Sequence, residues 1–157
     1  MAADDIAYVV AIYREGGQWV AAPLPPRAGE SLDNVVQAIR QFPGEGGNLG
    51  FVSIHDDAAV VLRVTGPDVQ VFISDASAAD DFSLAAEVID LVGEPEDDEE
   101  PAVAGDTSLL KDFGISTSDL MAICEDNDFY PHDVFAEIAE RLGCGPQFEH
   151  ARDESGA

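Results

Sequence analysis

Short apolar runs, each separated from the next by a turn signal of two or three residues, fill most of the first half of this chain. Residues 6–13 and 18–22 flank Gly16 and Gly17. Residues 51–54 and 59–64 flank Asp56 and Asp57, and the run 69–74 comes after Gly66, Pro67 and Asp68. The runs are rich in β-branched and aromatic types, which marks them as strands. Turns this tight join only antiparallel neighbours, because a parallel pair needs a crossover of a dozen or more residues. The spacing therefore predicts a hairpin, closed by Pro23, Pro25 and Pro26, and then a three-stranded meander.

Two stretches in this half change to helical period. Ser31 is a good N-cap, Leu32, Val35, Val36 and Ile39 recur on one face, and Pro43 with Gly44 ends the helix. Leu84, Ala85, Val88, Ile89 and Val92 form a second amphipathic stripe, with Asp81 or Ser83 as its cap. Residues 93–105 are acidic, bounded by Pro95 and Pro101 and without apolar period, and read as a flexible linker. The remainder of the chain reads as helical. A short helix carries Leu109, Leu110 and Phe113 and closes at Gly114. Ser116 and Asp119 make a capping box with Ile115 stapled onto Leu120. Pro131 opens a helix lined by Phe135, Ile138, Ala139 and Leu142 and ended by Gly143.

The expected fold is α+β: a mainly antiparallel ββαβββα unit over 1–92 with helices on one face, the linker 93–105, a small three-helix unit over 106–148, and a frayed tail over 149–157. Strand order and oligomeric state stay open at this level.

Charge narrows the partners. Acidic residues number 32 against 7 basic, a net charge of -25, spread as -10 over 1–92, -6 over the linker and -9 over 106–157. Such a surface repels DNA, RNA and anionic membranes, whose binding needs Lys and Arg to displace counterions. A basic protein or a cation is the more natural partner. Two cysteines make no disulfide framework, the N-terminus lacks a signal-peptide pattern, and no apolar run approaches the roughly 18 residues of a membrane span, so the expected setting is the cytoplasm with free thiols.

Candidate chemistry is sparse. The glycine-rich run 44–50 comes after a helix and opens a strand, the reverse of a phosphate loop, and carries Glu45 with no lysine nearby. Cys124, His132, Cys144 and His150 lack the tight ligand pairs of structural zinc, so no metal or other cofactor is expected. The His-Asp pairs at 55–56 and 132–133 and the carboxylates Asp56, Asp57, Asp80, Asp81, Glu125, Asp126 and Asp128 read as solvated surface in a chain this acidic. There is no Gly-x-Ser-x-Gly elbow. Trp19, Phe129 and Tyr130 are candidate partner anchors; Trp19, facing a predicted sheet, reads equally as core, whereas Tyr130, set among acids before Pro131, is a candidate contact residue.

The motifs Leu24-Pro25-Pro26, Pro43-Gly44-Glu45-Gly46-Gly47, Gly50-Phe51-Val52-Ser53, Ser74-Asp75, Tyr130-Pro131 and Glu140-Arg141-Leu142-Gly143, in this order and spacing, resemble the bacterial tRNA adenosine deaminase-associated proteins. The resemblance spans residues from about Ile6 to Phe148. It implies a companion of a tRNA adenosine deaminase rather than a deaminase, since the His-x-Glu and Pro-Cys-x-x-Cys signature is absent. Together with the charge it points to a non-catalytic partner or regulator of a tRNA-modifying enzyme. Its expected contacts are Asp56, Asp57, Asp80, Asp81, Glu125, Asp126, Asp128 and Tyr130, set against the basic surface that grips RNA. Two other readings are a small ligand-binding domain or enzyme with a carboxylate site, and an acidic mimic of nucleic acid that binds other basic proteins.

Overall fold

The first apolar run forms the longest strand, β1 (Ile6–Glu15), in a computed structural model that describes residues 6–42, 44, 47–55, 57–93, 103–128 and 130–154. Gly16 and Gly17, both at positive φ, turn the chain into β2 (Gln18–Leu24). A 3₁₀ turn (Pro26–Gly29) and helix α1 (Leu32–Arg40) then carry it across to β3 (Asn48–Ile54), on the other side of β1. Tight turns lead on to β4 (Ala58–Thr65) and β5 (Asp68–Ile73). Helix α2 (Ser83–Val92) and the short strand β6 (Ala104–Gly105) come next. Helices α3 (Thr117–Asp126), α4 (Pro131–Leu142) and α5 (Gly145–Glu154) complete the described chain. The strand order is β2-β1-β3-β4-β5-β6, with every neighbouring pair antiparallel. No helix among the described residues is long and apolar enough to cross a membrane.

Alternation along the strands sends side chains to two faces. Val9, Ala11, Val52, Val60 and Leu62 pack with Val35 and Ile39 of α1 and Leu84 and Val88 of α2. Val10, Ile12, Phe51, Val61 and Phe72 pack with Leu120, Ile123, Phe135, Ile138 and Phe148 of α3, α4 and α5. The fold is thus α+β with the first two helices on one face, as expected, and the C-terminal helices laid over the other. On that second face Phe51 stacks on Phe135 with ring centroids 4.7 Å apart and planes 6° from parallel.

Local signals account for the element ends. Ser31 Oγ accepts a hydrogen bond from the Asn34 N–H and starts α1. Ser116 and Asp119 exchange the two bonds of a capping box at α3. The α2 cap differs from expectation: Phe82 takes that position, and Asp75 caps the preceding 3₁₀ turn (Ala76–Asp80) instead.

Three further differences concern the second half. Of the stretch expected to be linker, residues 94–102 lie outside the described part, while Ala104 and Gly105 pair with β5. The short helix expected around Leu109 is a single 3₁₀ turn, Lys111–Phe113. The expected frayed tail is corrected over 149–154, which belong to α5; Phe148 and Ala151 are buried and hold that helix on the sheet.

The edge strand β2 is blunted. Glu15 and Gln18 flank the two-residue turn and form a hydrogen-bonded pair, so Pro23, opposite Val10, falls in a non-bonded pair and its nitrogen faces outward. A proline there loses no ladder bond and denies an incoming strand a donor. Gln147 of α5 reaches the Trp19 carbonyl at 3.5 Å, covering another outward group.

Gly50 fixes how closely α1 approaches β3, because a Cβ built there would overlap the Cδ1 methyl of buried Ile39. Gly50→Val should cost about 1–3 kcal/mol in urea denaturation. Ile39→Val, which removes the obstructing methyl, should recover part of that loss in the double variant.

Candidate partner-binding site

The strand pairings decide which loops meet. Ile6 lies opposite Ile54, Ile54 opposite Ala58, and Val60 opposite Ile73. One end of the sheet therefore holds the start of β1, the β3–β4 turn and the exit from β5. At the β3–β4 turn His55 has φ 50° and its Nδ1 lies 3.5 Å from Asp57 Oδ2. The His55 ring faces Phe82 at 6.5 Å, which brings that turn beside exposed Asp80 and Asp81. Asp56 and Phe129 lie outside the described residues.

The α3–α4 connection reaches the same end from the other face. Glu125 and Asp126 are exposed on the last turn of α3, Asp128 is exposed at φ 53°, and Tyr130 is 42% exposed as the N-cap of α4. His132, on the first turn of α4, lies against Tyr8 of β1. The carboxylates at 57, 80, 81 and 128 and the Tyr130 phenol, far apart in sequence, thus crown one end of the sheet. Glu125 and Asp126 also sit at the negative end of a helix dipole, with no basic residue in the last turn to offset them.

Beneath Tyr130 is a constellation that sequence reasoning missed. The Tyr8 hydroxyl lies 3.4 Å from His132 Nδ1. With the phenol as donor, the imidazole carries its hydrogen on Nε2, which is 3.6 Å from Glu149 Oε2. Glu149 Oε1 lies 3.5 Å from Arg152 Nε. Burial is the main cause that pushes the Tyr8 phenol above its ordinary value of 10.0, so it stays protonated and serves as a donor. The arrangement ties the start of α4 and the body of α5 to β1. No local signal in the sequence marks it, because its members come from the first and last elements of the chain.

A cleft of about 570 Å³ adjoins the α3–α4 connection and is lined by Asn127, Asp133, Ala136, Glu137, Glu140 and Arg141. Asn127 Nδ2 donates to Ile123 O at 2.8 Å and to Glu137 Oε1 at 2.9 Å, and Arg141 Nη2 donates to Glu137 Oε2 at 2.9 Å. With Glu137 so engaged, the exposed carboxylates of Asp133 and Glu140 are left at the cleft. Their spacing with Glu137, at i, i+4 and i+7 opposite the apolar stripe of α4, is a signal the sequence does carry.

The remaining candidates separate. Cys124 and Cys144 are buried in the hydrophobic core. His150 is exposed and pairs with Glu154 at 2.9 Å. Among the described residues no group of three or more His, Cys, Asp and Glu side chains is placed to hold a metal ion. Trp19, read as either core or partner anchor, is half-buried with its ring 5.5 Å from Phe113.

Comparison with known proteins agrees with the family resemblance of the sequence. A family model described as "Rv3753c-like tRNA adenosine deaminase-associated protein" matches residues 7–145. The chain belongs to this family. It is 32% identical over 152 residues to "Protein Rv3753c" of Mycobacterium tuberculosis (strain ATCC 25618 / H37Rv), an alignment that covers 94% of this chain and 88% of the relative. No solved structure matches it significantly.

The two thiols provide a test of the packing. Burial, aided at Cys124 by the nearby Glu125 charge, pushes both up to about 12. Native protein should react with a thiol reagent at neutral pH only at its rate of unfolding. Because the folded pKa exceeds the unfolded one, the contribution to stability is whole below about 9 and is lost as pH rises toward 12. Denaturation midpoints should fall across that window, and Cys124→Ala/Cys144→Ala should flatten the fall.

Proposed function

We propose that this protein is a non-catalytic cytoplasmic companion of a tRNA adenosine deaminase, docking through its acidic sheet end on the basic surface with which the enzyme holds tRNA. The family description, deaminase-associated, supports the choice of enzyme. The observation that carries the docking face is the placement of Glu125 and Asp126 at the C-terminal end of α3, close to exposed Asp128 and Tyr130. Acidic side chains at a helix C-terminus are unfavourable by about 0.3–1 kcal/mol each. A cationic partner surface reverses that penalty, so the arrangement is suited to the complex rather than to the free protein. Tyr130 adds an aromatic anchor whose rigid ring buries at little entropic cost. Asp57, Asp80 and Asp81 extend the same end, and their field accelerates encounter with a basic partner.

In a pull-down of the purified deaminase from the same organism, capture should be strong at low salt, weaken steeply at high salt and be displaced by tRNA. Capture that ignores salt, or no capture under any condition, rejects this docking mode. Glu125→Gln/Asp126→Asn should separate function from folding. The variant should melt at a higher temperature than the parent and hold the deaminase less well. Unchanged capture would remove the α3 end from the interface.

A further inference from the structure

Helix α1 departs from the charge pattern of the chain around it. Its charged residues are Asp33 and Arg40, one of each sign, so it is neutral. The sequences of α2, α3, α4 and α5 carry net charges of -2, -3, -2 and -2 with histidine neutral. Val35, Val36 and Ile39 face the sheet, which leaves Asp33, Asn34, Gln37, Arg40 and Gln41 exposed and Ala38 partly exposed. Neither Asp33 nor Arg40 has an ion-pair or hydrogen-bond partner through its side chain among the described residues. Beside the helix runs a groove of about 380 Å³ lined by Leu24, Pro25, Ala28 and Ala38, by charged Arg27 and Glu30, and by the polar side chains of the helix itself.

We propose that this face is the contact between two copies of the chain, related by a two-fold axis with their α1 helices antiparallel. Asp33 and Arg40 lie seven positions apart, about 10.5 Å along the helix. In an antiparallel pair, Asp33 of each copy meets Arg40 of the other with no adjustment of register. The surface is self-complementary, as an isologous contact requires. Gln37 falls nearest the axis, where its amide, at once donor and acceptor, can pair with its own symmetry mate. Ala38 and the groove beside it, lined by both apolar and polar residues, flank this contact and add area to bury. The charge of the chain favours this face over others: two molecules at -25 repel at every surface where carboxylates dominate.

The inference is independent of the deaminase, and salt distinguishes the two. Salt screens the repulsion between two acidic chains and so strengthens self-association, while it weakens an acidic-on-basic complex. The test is sedimentation velocity of the full chain from micromolar to near-millimolar concentration, at low and moderate salt. The wild type should pass from monomer to dimer, more readily as salt rises. Arg40→Asp or Asp33→Arg places like charges together twice across the axis and should weaken the dimer by at least about tenfold. The double swap Asp33→Arg/Arg40→Asp recreates the complementary pairs and should restore the dimer to within about threefold of wild type. Thermal melts of each variant confirm that the fold is intact. A wild type that stays monomeric throughout overturns the proposal. So does a dimer indifferent to the single reversals, or one the double swap fails to restore. A monomer that loses the deaminase in Arg40→Asp also overturns it, by giving α1 to that partner instead.

Discussion

Everything in this molecule is fastened to two strands that see almost no solvent. β3 is buried along its whole length, and β4 is buried from Ala58 to Val64. On one side Gly50 admits Ile39, which seats α1; on the other Phe51 stacks on Phe135, which seats α4. A fully buried aromatic or aliphatic side chain contributes roughly 1.5–3 kcal/mol, and the pair collects such contributions from both layers. The charged exception in β4 is Arg63. Its Nη1 donates to the Leu109 carbonyl at 2.9 Å, its Nη2 lies 3.2 Å from Asp112, and its guanidinium sits 4.6 Å from the Phe113 ring centre. The cost of desolvating that charge is offset by fixing the 109–113 turn, and with it the approach to α3.

On this rigid base the protein carries a surface that works against its own stability. Net charge this large destabilises any compact state through self-repulsion. The double-faced core gives the stability that makes such a surface tolerable. Glu125 and Asp126 at the wrong end of α3 are a local instance of the same opposition, and positions where local rules fail without compensation are where binding function tends to reside.

Much of the fold was legible, for reasons that can be named. The two-residue turns required antiparallel pairing, Ser31, Ser116 with Asp119, and Pro131 marked helix starts, and Gly143, at φ 97°, marked a stop. The run Ala58-Ala59-Val60-Val61-Leu62 also lacks any polar face, which is the signature of a strand covered on both sides; read that way, it would have placed the C-terminal helices on the sheet. Helix α5 was hidden because Phe148 and Ala151 are the buried residues in it, too few to raise a period above its polar neighbours. The candidate site was legible in type but not in place. Among 32 acidic residues, composition cannot select the few that converge. Register did so, by bringing the β3–β4 turn, the corner after β5 and the α3–α4 connection to one end of the sheet. The Tyr8–His132 contact spans 124 positions and was beyond any local reading.

The position of α5 has a consequence for how the protein is made. Chains emerge N-terminus first, and the face of the sheet that packs on α1 and α2 can close as soon as residues up to Val92 are free. The other face waits for Phe148 and Ala151, almost the last described residues. Until α3, α4 and α5 have emerged, Val10, Phe51, Val61 and Phe72 lack the helices that cover them. The nascent protein is thus a half-finished sandwich with an adhesive side, and the interval between synthesis of the sheet and arrival of its final helix is when a chaperone has the most surface to hold.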